Sequence, residues 1–138
     1  MKRLVAFAFM MGSLGAYSDA RAIEPCKAES GMMLSGTKDA PWDVKVELNH
    51  KDIPLNTPFD AAITICSRQN DPPQRIDVDA TMPAHKHGMN YEPKTARIDS
   101  HRHEVKNLVF HMPGIWRLEV TAYQGDKPHR FTQDVRVR

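Results

Sequence analysis

Cysteine is scarce in this chain of 138 residues: Cys26 and Cys66 are the only two, and no Cys-x-x-Cys spacing occurs. That excludes the short thiol motifs of zinc ribbons, thioredoxin-like redox centres and covalently attached haem. His-Glu-x-x-His is also missing, and nothing resembles a nucleophile elbow or an oxyanion loop beside Ser100 and His101. The carboxylates are scattered on outward strand positions, so no base accompanies the histidines as a hydrolytic zinc site requires. The chain is therefore read as a non-enzyme. Basic stripes interleaved with aromatic residues are lacking too, which excludes a nucleic-acid interface.

Only one long hydrophobic run exists. Lys2 and Arg3 precede the apolar residues from Leu4 to about Tyr17, and Ala20-Arg21-Ala22 supplies the small residues a signal peptidase reads. Residues 1–22 are accordingly expected to be a cleaved signal peptide, and 23–138 a single exported domain, periplasmic or secreted, with no integral membrane segment. Cleavage would remove Lys2, Arg3 and Arg21, leaving 16 of 19 basic residues, and Asp19, leaving 16 of 17 acidic ones. The basic pI of 8.6 thus belongs to the precursor. In an oxidising compartment an even cysteine pair reads as a disulfide, Cys26 to Cys66, tying the N-terminal lead-in to the body. A loop of that size would stabilise by about 3–4 kcal/mol in the chain-entropy account.

What is abundant is alternation. Val44, Val46 and Leu48 share a face, as do Ala61, Ile63 and Ile65; then Ile76, Val78, Ala80 and Met82; then Trp116, Leu118, Val120 and Ala122; and finally Phe131, Val135 and Val137. Weaker strands are expected near 94–99 and 105–110. Turn signals such as Asn70-Asp71-Pro72-Pro73, Pro113-Gly114 and Gly125-Asp126 separate them. Helical periodicity is absent outside the first 22 residues. About seven short strands of this kind predict an all-β, antiparallel, immunoglobulin-like sandwich.

All seven histidines lie beyond residue 22. If each connection reverses the chain, the loops sort onto two poles. His50, His85, His87, Met89, His111 and Met112 reach one; His101, His103 and His129 reach the other. The segment TMPAHKHGMNYEP and the later HMPG pair offer imidazole with thioether, and thioether sulfur selects copper, Cu(I) above all. Metal ligands are therefore expected among His85, His87, Met89, His111 and Met112, with Gly88 bending the chain so that Met89 follows the histidines. Met112 could equally be a packing residue. Met82 is expected in the core, His50 in solvent, and Tyr91 as a cap over the loop. His101, His103 and His129 could make a second site, but read first as an exposed polar turn.

The Met-Pro-initiated loop TMPAHKHGMNYEP, a strand, and then FHMPGIWRLEV resemble the YtkA-like/FixH-like group of small exported domains. The resemblance covers about residues 42–138 and is most specific at 82–91 and 110–120. It implies an immunoglobulin-like sandwich, a role in copper handling or oxidase assembly, core positions for Trp116 and Leu118, and exposure of His85–Met89. Two functions follow as expectations. One is a periplasmic copper chaperone or buffer that serves a copper-accepting protein. The other is a metal-free interaction module that assists assembly of a membrane complex of oxidase type.

Overall fold

A computed structural model describes residues 30–69 and 71–138. The expected signal segment and Cys26 lie outside these residues. The chain forms β1 (Met32–Met33), β2 (Ser35–Gly36), β3 (Trp42–Leu48), β4 (Phe59–Ser67), β5 (Arg75–Met82), β6 (His87–Gly88), β7 (Lys94–Arg97), β8 (Arg102–Leu108), β9 (Gly114–Gln124) and β10 (Lys127–Val137). Two antiparallel five-stranded sheets result, ordered β1-β3-β4-β8-β7 and β2-β10-β9-β5-β6. The all-β sandwich is as expected, and seven of its strands have four residues or more. No helix among the described residues is long and apolar enough to cross a membrane.

Each sheet turns one face inward, so period-two alternation becomes burial. Val44, Ile63, Ala80, Trp116, Val120 and Ala122 are wholly enclosed, each large side chain contributing about 1.5–3 kcal/mol relative to exposure. Met82 lies in this core, as expected, and so do Trp116 and Leu118.

Two features had no periodicity to announce them. Residues 32–36 switch sheets: Met32 pairs with Val46, and Gly36 pairs with Phe131 four positions later. Strand β8 carries a bulge, because Phe59 stands opposite Leu108 while Ala61 stands opposite Val105. Asn107 supplies it with a left-handed φ of 63°, a conformation asparagine tolerates better than most residues. The extra residue flips the parity, so His103 and Val105 face inward before the bulge and Leu108 and Phe110 after it.

This overturns the reading of the 100–104 segment as an exposed turn. Strand β8 begins at Arg102, and His103 is enclosed between the sheets with 3% of its surface exposed. His129 is enclosed to the same degree, because β10 begins at Lys127, and its ring stands edge-on to Trp42 at 5.4 Å. His101 is half-buried, with Nδ1 3.3 Å from the Ile65 carbonyl. The three make separate contacts in different strands and loops.

Candidate metal centre

Strands β5, β9 and the end of β8 converge at the pole where the chain direction had placed the first histidine set. Thr81 pairs with Gly88 and Met82 with His87, closing a hairpin around Pro83–Lys86. The Met82 carbonyl accepts from the backbone N–H groups of His85 (3.1 Å) and Lys86 (2.9 Å). Lys86, not Gly88, makes the bend, with a φ of 54°. Gly88 is an ordinary extended residue of β6, so the expectation that it redirects the chain is corrected. Met89 continues the pairing, its N–H donating to the Ala80 carbonyl at 3.2 Å.

The hairpin carries His85 and His87 toward His111, which follows β8 in the opposite sheet. Ring centroids lie 5.9 Å apart for His85–His87 and 5.1 Å for His87–His111, and both pairs are tilted by about 35° or less. Trp116 walls the row, its ring 6.0 Å from His87 and 5.2 Å from His111 and nearly perpendicular to both. Beneath it Phe110 stacks on Trp116 at 4.8 Å and meets Phe59 at 5.3 Å. His50, exposed as expected, stands edge-on to Phe59 at 6.3 Å. The row thus stands on a rigid aromatic floor that spans both sheets.

Trp116 is fixed by its Nε1–H, which donates to the Met112 carbonyl at 2.9 Å. Gly114 completes the turn with a φ of 136°, and a Cβ there would meet Met82 Cε at 2.7 Å. The Met-Pro-Gly turn therefore holds the indole and the row against one another.

Within the row, the His87 Nδ1 lies 3.4 Å from the Gly88 carbonyl. If that nitrogen carries the proton, the Nε2 lone pair is left for a ligand. The His111 Nδ1 is shielded from solvent and has no hydrogen-bond partner, a status it shares with the His103 Nδ1 and the His129 Nε2. His85 is exposed, whereas His87, Gly88 and Met89 are half-buried. Exposure of the whole segment His85–Met89, implied by the resemblance, therefore holds only for its first part. Met89 and Met112 pack against the core. Tyr91 does not cap the loop: it is 63% exposed.

As the side chains stand, no three His, Cys, Asp or Glu residues among those described close around a single point. The arrangement is two adjacent imidazoles with a third alongside and two thioethers in the flanking core. Sequence reasoning missed Trp116 as the wall of this centre, although the perpendicular packing of a tryptophan against histidines could not be read from strand alternation. Cys66 lies on the outer face of β4, half-buried opposite Asp43, and no free cysteine occurs among the described residues.

No family model matches the chain, and no curated protein matches it. Among solved structures it is similar to a DUF4785 family protein from Legionella pneumophila subsp. pneumophila str. Philadelphia 1, with a TM-score of 0.51 and 14% identity. That match covers 72% of this chain and 29% of the other. At this identity the likeness speaks to the fold alone.

Proposed function

We propose that the protein is an exported copper-binding protein, a chaperone or buffer, that holds Cu(I) at the His85–His87–His111 row. The observation that carries this reading is the adjacency of three imidazoles at one mouth of the sandwich, His87 to His111 at 5.1 Å and His85 to His87 at 5.9 Å. Imidazole and thioether suit Cu(I) outside the cytoplasm, where free thiols would oxidise. His87 and His111 would provide the first two nitrogen donors. His85, on the exposed turn, would supply a third, and Met89 or Met112 a thioether after a rotamer change. Delivery would follow by ligand exchange, with the exposed His85 released first to an acceptor protein.

The same reading places residues 1–22 as a cleaved signal, the mature protein in the periplasm or secreted, and Cys26 bonded to Cys66. It also groups the chain with the YtkA-like/FixH-like domains, on the residues quoted above. Loss of metal on acidification belongs to it as well, since imidazole ligands must be deprotonated to bind.

Side-chain NMR tests it. One equivalent of Cu(I), added without oxygen, should shift the imidazole resonances of His85, His87 and His111 and leave those of His101, His103 and His129 in place. Shifts confined to the second set would move the site to the other pole, and no shifts at all would remove copper from the account.

A further inference from the structure

On one flank of the sandwich the two sheets end at β7 and at the short β6. Because β6 pairs only with Thr81 and Met82, the outer edge of β5 from Arg75 to Asp79 carries no strand among the described residues. The Ala80 carbonyl on that side accepts from the Met89 N–H at 3.2 Å. By alternation the N–H and carbonyl of Val78 point the same way, along the open edge. Between this edge and the chain leading into β7 lies a groove of about 570 Å³, lined by Asp77, Asp79, Met89, Tyr91, Glu92 and Thr95 among others.

Three of the side chains lining the groove are carboxylates, and none is a cation. The nearby cations are directed elsewhere. Arg75 reaches Asp77 at 3.4 Å, but its guanidinium lies over the Tyr123 ring at 3.8 Å, on the β9 side of β5 and away from the open edge. Thr95 and Arg97 stand opposite the enclosed Val105 and His103, so they face inward and Lys94 faces out. Arg97 is engaged at the start of β5, where it donates to the carbonyls of Pro73 and Gln74. Asp79 accepts the Ala80 N–H at 2.7 Å. Neither Asp79 nor Glu92 forms an ion pair among the described residues. Beside them Tyr91, 63% exposed, adds an aromatic ring of the kind that attracts cations.

We infer that this groove is a docking site for a basic segment of a partner polypeptide. Lysine or arginine side chains of the segment enter among Asp77, Asp79 and Glu92, and one of them lies against Tyr91. The segment's backbone meets the open N–H and carbonyl of Val78. The sign of the charge selects this occupant: an acidic segment, or a second copy presenting the same groove, sets carboxylate against carboxylate. Met89 lines the groove and follows His87 by two residues, so the docked segment lies beside the histidine row. The site does not depend on copper, and it is tested on metal-free protein, so its failure leaves the metal reading untouched.

The probe is a blocked heptapeptide alternating serine and arginine, compared with its serine–glutamate counterpart, read by backbone amide shifts of the labelled protein. The arginine peptide should bind saturably, shift amides at 77–79 and 89–92, and weaken several-fold as salt is raised. The glutamate peptide should not bind. D77N/D79N/E92Q should abolish binding, and E92Q alone should weaken it several-fold at an unchanged circular dichroism spectrum. E47Q/D52N/D126N, which removes the same charge outside the groove, should bind as the wild type does. Equal loss in that control, shifts centred elsewhere, binding retained in D77N/D79N/E92Q, or no saturable binding would overturn the assignment. So would sedimentation showing that the protein self-associates through this groove.

Discussion

His87 and His111 face one another at 5.1 Å, one carried by the sheet that holds β5 and the other by the chain leaving β8 in the opposite sheet. The contact bridges the mouth of the sandwich, so a metal bound there would cross-link the two sheets. Cu(I) should therefore raise the melting temperature of the wild-type protein, by mass action on the folded state. An equal rise in H87A/H111A would show that the metal stabilises from elsewhere.

Trp116 reports on the row, and Trp42 lies at the other pole beside His129. Copper should quench the emission of one tryptophan and spare the other. In W116F the quenching should disappear while Trp42 emission persists. Quenching retained in W116F would place the metal near Trp42 instead.

One imidazole and the lowered carboxyls give the pH dependence of stability two windows. Burial, then Arg97, lowers the His103 pKa below its usual 6.5, with Asp99 opposing. A lowered imidazole pKa means the folded state favours the neutral ring. Its contribution is complete above about 6.5 and is lost as pH falls toward the folded value. Asp99 is lowered to about 2, chiefly by the backbone N–H of His101 and then by Arg102. Its contribution is present above the usual carboxylate range and is lost as pH falls toward 2. Urea titrations across pH should show both windows. H103L should erase the upper one, and D99N should shrink the lower one, which Asp43 and Asp134, lowered by Arg68 and Arg117, also feed; a wild-type profile flat through both would contradict the assignment.

Backbone conformation should dominate at two positions. N107V puts a β-branched residue into the left-handed bulge and should cost on the order of 1–2 kcal/mol, whereas N107G should be near neutral. G114A, at a φ of 136° and with a Cβ against Met82 Cε, should cost about 1–3 kcal/mol. Chemical denaturation measures both, and an unchanged midpoint in N107V or G114A would show that the turn relaxes freely.

The five clear strands were legible because each presents one face to the core, so that every second residue had to be apolar. The bulge at Asn107 hid β8: inward residues at 103, 105, 108 and 110 do not alternate, and the run read as a weak strand preceded by a polar turn. His129 was missed because the legible face of the last strand began at Phe131, whereas β10 starts at Lys127 and admits Pro128 where it has no partner on one side. Strands of two residues, such as β1 and β2, have no period to read. The pole shared by His85, His87 and His111 was legible from strand direction. The indole wall was not, because it depends on Met112 and Gly114 placing Trp116 after the turn. Nor was the packing of Met89 and Met112 against the core, since both thioethers sit on loops where alternation carries no information.

The most direct test is a competition titration of Cu(I) against a coloured Cu(I) chelator, without oxygen, on the mature protein and on H85A/H87A/M89A and H87A/H111A. One Cu(I) should be withheld from the chelator per wild-type chain, and none by either variant at unchanged secondary structure. Wild-type protein that fails to compete, or variants that compete equally, would contradict the copper reading.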